Sequence, residues 1–122
     1  MRTSLTIIAL AALMGGTAAA QPKTAESAYR SGVALEQHAR FDEALAAMRE
    51  AVRLAPASDL YLAALGDAAI KADRLDEARR ALRDLRRLAI DHEVVPARIR
   101  ILGGDLERAE RLAAARASQH HP

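Results

Sequence analysis

FDEALAAMREAVRL (residues 41–54) and LDEARRALRDLRRL (residues 75–88) are one pattern written twice, 34 residues apart. Asp42-Glu43 recurs as Asp76-Glu77, Ala44 as Ala78, Ala47 as Ala81 and Leu54 as Leu88. Phe41/Leu75 and Met48/Leu82 keep size and polarity, and Gly32 precedes Gly66 by the same interval. Self-similarity at this period on a helical background marks stacked pairs of antiparallel helices. The fold expected is all-α, an α-hairpin solenoid of about two and a half units.

Each copy supplies one helix of a hairpin. In the second, Leu75, Ala78, Ala81, Leu82, Leu85, Leu88 and Ala89 share one broad arc of the helical wheel. Arg79, Arg80, Arg83, Arg86 and Arg87 share the opposite arc, so one side must be buried and the other wet. Asp76, one turn ahead of Arg80, is placed for a supporting ion pair. In the first copy Asp42 opens a helix that turns Ala44, Leu45, Met48, Ala51 and Val52 inward and reaches Ala55. Pro56 ends it, because the residue before a proline is pushed out of helical geometry.

Upstream, Ala25, Ala28, Gly32 and Leu35 recur at helical spacing between Thr24 and His38. Ser58 or Asp59 can cap a third helix carrying Leu62, Leu65, Gly66, Ala69 and Ile70, and Asp73 can cap the fourth. Further on, Pro96–Leu102 reads as a short helix stopped by Gly103-Gly104. Asp105 then caps a last helix from Leu106 to Ala117 whose stripe of Leu106, Ala109, Leu112 and Ala113 suits a lid. Leu106-Glu107-Arg108-Ala109 echoes Leu75-Asp76-Glu77-Ala78 at an offset of 31, three residues short. The units run 25–58, 59–92 and, in part, 93–117, with 118–122 as a flexible tail.

Gly32 with Ala44, and Gly66 with Ala78, place small residues where two helices of a hairpin cross closely. Glycine inside a helix costs about 1 kcal/mol relative to alanine, so two at equivalent places imply a packing need. Taking Ala25 as the first position of a unit, Gly32, Ala44, Met48, Ala51 and Pro56 fall where tetratricopeptide repeats carry their small, alanine, large apolar, alanine and proline positions. The chain thus resembles the tetratricopeptide repeat family. From Asp59 the second unit matches at Gly66, Ala78 and Leu82 and departs at Leu85 and Ile90. In proteins of that kind the first helix of each unit lines a concave groove. The resemblance implies groove positions at Glu26, Tyr29, Val33 and Glu36, then Leu60, Ala63, Asp67 and Ile70. Apolar residues with three carboxylates would suit an apolar or basic peptide segment. The Lys, Asn and Arg with which some members grip a C-terminal carboxylate are replaced here by acids and apolar residues.

The first twenty residues read as an address. Arg2, the apolar run Leu5–Met14, Gly15-Gly16 and the small Ala18-Ala19-Ala20 describe a secretory signal peptide at 1–20, cleaved after Ala20. The alternative is an uncleaved anchor, but the apolar run is short of the ~20 residues a spanning helix needs. The remainder, 21–117, forms the helical domain, and a bacterial periplasm is the simplest compartment. Without cysteine there is neither a disulfide nor a lipidated cysteine after the leader, so packing alone must hold the fold.

No residue pattern points to catalysis. The histidines (His38, His92, His120, His121) lack metal-helix spacing, no serine has a nucleophile motif, and neither cofactor nor metal is expected. The 18 basic and 16 acidic residues leave the chain near neutral. Together with only Tyr29, Phe41 and Tyr61 for stacking, this argues against nucleic acid, and no stable membrane insertion is expected once the leader is removed. The arginine stripe has two readings: a docking patch for an acidic partner or phosphate, or a solvated face offset by Asp76, Glu77 and Asp84. The solvated face is favoured. The function expected is a protein- or peptide-binding adaptor of the bacterial cell envelope. The alternative is a self-associating module whose groove is filled by another copy.

Overall fold

Five helices follow one another with no strand among the described residues: α1 (Ala25–Gln37), α2 (Phe41–Leu54), α3 (Asp59–Lys71), α4 (Leu75–Asp91) and α5 (Pro96–Gln119). The computed structural model describes residues 23–120. The expected signal peptide therefore lies outside them, as do His121 and Pro122 of the tail. α1 packs on α2 and α3 on α4 as two hairpins, α2 joins the hairpins by packing on α3, and α5 lies against both α3 and α4. This is an all-α, repeat-like stack.

Local chemistry sets the ends. Thr24 caps α1 through a reciprocal pair: its hydroxyl accepts from the Ser27 amide at 3.0 Å, and the Ser27 hydroxyl accepts from the Thr24 amide at 2.9 Å. Ser58 caps α3 by accepting from the Tyr61 amide at 3.2 Å. The expected cap Asp73 does not form, and Asp42, expected to open its helix, lies one residue inside it. α2 and α4 begin at Phe41 and Leu75, after Arg40 and Arg74, neither of which makes a side-chain cap. Asp73 has another task. It and Ala39, again 34 residues apart, hold φ of 59° and 57°, the left-handed corner of each hairpin turn. The Ala39 amide donates to the Glu36 carbonyl and the Arg40 amide to the Leu35 carbonyl, both at 2.9 Å. Asp73 and Arg74 repeat the pair onto Ile70 and Ala69 at 3.0 and 2.7 Å. These are Schellman closures, with alanine and aspartate where glycine is usual.

The core runs from Leu45 and Met48 through Leu62, Leu82 and Leu85 to Leu102 and Leu106. Ala44 and Ala78 are both 0% exposed, as the close-crossing reading requires. The glycines differ. A Cβ on Gly32 would meet Met48 Cε at 2.8 Å, inside its own hairpin. One on Gly66 would meet the Leu102 methyls at 2.6 and 2.7 Å, so Gly66 admits α5 rather than α4.

α5 corrects the expected break. Gly103 and Gly104 lie mid-helix, Asp105 caps nothing, and no second short helix forms. A single helix sets Leu102 and Leu106 one turn apart on one face, where both are buried. Burying a leucine is worth about 1.5–3 kcal/mol, which exceeds what each glycine costs. The partial third unit is thus one continuous helix where two were expected. Helical structure also runs through Ser118 and Gln119, in the expected tail. Two lesser expectations fail as well. Ala89 is exposed despite its apolar arc, and Asp76 pairs with Arg79 instead of Arg80.

Candidate functional site

Asp59 fixes the start of α5. Its Oδ2 accepts from the Val95 amide at 2.9 Å and from Arg98 at 3.2 Å. With Gly66 facing Leu102, this sets α5 alongside α3 in the same direction, while Arg79 of α4 bonds Glu110 at 2.8 Å and sets the opposite sense for α4. At 1.5 Å per residue α5 is about 36 Å long and α3 about 20 Å, so the last turns of α5 pass beyond α3.

Between α3 and α5 lies an apolar cleft of about 230 Å³. α3 contributes Leu60, Ala63, Ala64 and Asp67, and α5 contributes Arg98, Ile101, Leu102 and Asp105. Leu60 is 38% and Ile101 61% exposed, so two large apolar side chains face solvent at the rim. Arg98 is held by Asp59, Asp67 by Lys71 at 2.9 Å and Asp105 by Arg108 at 3.1 Å.

Three of the expected groove residues, Leu60, Ala63 and Asp67, meet in this cleft. The others belong elsewhere. Tyr29 stacks on Tyr61 with ring centroids 5.2 Å apart and a tilt of 34°, and Val33 and Ile70 pack against the core. Glu26 is exposed and pairs with Arg30 at 2.6 Å. Glu36 and Asp67 converge on Lys71, whose Nζ lies 3.1 Å from Glu36 Oε2. The Asp67 hydrogen bond raises the Lys71 ammonium above its ordinary value; partial burial opposes it and Glu36 adds to it. The second Glu36 oxygen, Oε1, is buried with no protein partner. All three groove carboxylates are thus already paired, and the cleft offers apolar contact more than charge.

The α5 half of the cleft was missed in the sequence. Ile101 stands 34 residues after Asp67, at the equivalent groove position, so the period itself pointed to it. Reading Gly103-Gly104 as a stop prevented α5 from being laid out as a groove helix. No family model, no curated protein and no solved structure matches this chain.

Proposed function

We propose that the protein is an adaptor of tetratricopeptide type that holds a segment of another protein in the α3–α5 cleft. The observation that carries this is the pair Leu60 and Ile101, exposed across a cavity with an apolar floor. At about 230 Å³ the cavity is smaller than the usual ~300–1,000 Å³ of small-molecule sites and suits one anchoring side chain of a bound segment. A cleft between two packed helices is largely preformed, which lowers the ordering cost of binding. Its place of action would be the cell envelope, on the strength of the secretory signal expected from the sequence of residues 1–20.

The test uses the chain from residue 21 onward as bait in envelope extract, beside a Leu60→Glu/Ile101→Glu variant. A partner held by the parent chain and lost by the variant supports the cleft. Identical captured sets would overturn it. Self-association is the second reading, favoured by Leu112, 57% exposed on the overhanging part of α5. Ile101, Asp105, Arg108 and Leu112 follow one helical stripe that a second copy could cover. An elution volume that shifts with protein concentration would select this reading.

A further inference from the structure

α5 has a second groove on its other side. Arg79, Arg83 and Arg86 of α4 face Gly103, Glu107 and Glu110 of α5 around a cavity of about 280 Å³, with Leu82 and Leu106 beneath. A solvated arginine stripe needs its neighbouring acids to offset it, and here the acids in ion pairs with the stripe serve only Arg79 and Arg83, while Glu77 is drawn away. Glu77 reaches back to Arg49 of α2 through two bonds of 2.7 and 2.6 Å. Asp76 and Glu110 both serve Arg79. Asp84 meets Arg83 only at 3.4 Å, long for a charge-assisted bond. Arg80, Arg86 and Arg87 form no ion pair among the described residues. Against Arg83 and Arg86 the groove itself leaves only the exposed Glu107.

The imbalance is regional. Residues 23–78 carry seven basic and ten acidic side chains, whereas residues 79–120 carry ten basic and six acidic. Gly103 shapes the spot: a Cβ there would lie 3.8 Å from Arg86 Nη2 and 3.9 Å from Leu82 Cδ2, so its absence leaves bare backbone beside the guanidinium.

We infer that the α4–α5 groove docks an acidic polypeptide segment, whose Asp or Glu carboxylates take Arg83 and Arg86 as forked partners. The planar guanidinium matches a carboxylate two bonds at a time. A furrow between two helices receives a chain better than it receives a flat layer of lipid headgroups. This surface is separate from the α3–α5 cleft and shares no side chain with it.

The experiment follows a short fluorescent oligo-glutamate peptide by anisotropy with the chain from residue 21 onward. Arg83→Glu/Arg86→Glu should weaken binding about tenfold or more, and Arg83→Ala/Arg86→Ala should weaken it less but in the same direction. Arg30→Glu/Arg53→Glu changes the net charge equally at arginines that already have partners, and should weaken binding less than about threefold. Leu60→Gln/Ile101→Gln, which keeps the net charge, should leave it intact, which separates this site from the cleft. Equal losses in the two arginine reversals would overturn the inference in favour of generic attraction. It would also be overturned if the parent chain ignored the peptide and instead bound phosphatidylglycerol vesicles through Arg83 and Arg86.

Discussion

The first hairpin and the second carry the same small residues at the same positions but use them differently. In α1–α2, Gly32 receives Met48 of its own hairpin, and Arg30, Arg40 and Arg53 each find an acid on their own helix or at its edge. In α3–α4, Gly66 receives Leu102 from outside, and three of the five arginines on α4 find no acid among the described residues. A repeat thus fixes where a gap occurs, and the neighbour at hand decides what fills it. The first hairpin is closed upon itself, while the second is completed by α5.

The largest expected effect tests this contrast directly. Gly66→Ala places a methyl against both methyls of a leucine that is 3% exposed, and should destabilise by about 1–3 kcal/mol through overpacking. Gly32→Ala meets the flexible end of Met48, and helix propensity offsets part of the clash, so its cost should stay below about 1 kcal/mol. Urea melts of the two variants measure the difference. Equal costs would mean that the hairpins do not differ in their dependence on α5.

A smaller effect concerns the tie between the hairpins. The Arg49 hydrogen bond, opposed by partial burial, holds the Glu77 carboxyl below its ordinary value of 4.5. Stabilisation by this pair is complete above that value and is lost as pH falls through the lowered one, at a cost of about 1 kcal/mol or less. Thermal melts between neutral and acid pH should therefore show a loss that Glu77→Gln makes shallower. An unchanged slope in Glu77→Gln would remove the pair from the account.

The smallest effect is a gain. Gly104 has nothing within 4 Å of an added Cβ. Gly104→Ala should stabilise the long helix by about 0.5–1 kcal/mol, seen as a raised melting temperature. A loss would show that α5 bends or opens at this point.

Much of the fold was legible because the period carries it. Ala44, Ala78, Gly32 and Gly66 announce close crossings whatever their neighbours are. The second glycine pair was not legible in the same way. Gly103-Gly104 looks like a stop by local preference, and only the burial of Leu102 and Leu106, which depends on α3 and α4, keeps the helix continuous. Half of the cleft was lost with it. Ion pairing was equally hidden: Glu77 looks like a companion of the α4 arginines along the chain, but its partner is on α2, 28 residues earlier. Lys71 drew no attention because its role needs Glu36 and Asp67 brought together from two helices.

The hairpin corners have a consequence for the unfolded chain. Ala39 and Asp73 sit at φ of 57° and 59°, where a side chain costs roughly 1–2 kcal/mol that glycine would avoid. Glycine there would also let the denatured ensemble wander more widely, so part of that penalty is returned as entropy the chain does not have to surrender. Tight corners in this molecule are therefore a compromise between its ordered and disordered states, found at two places one period apart.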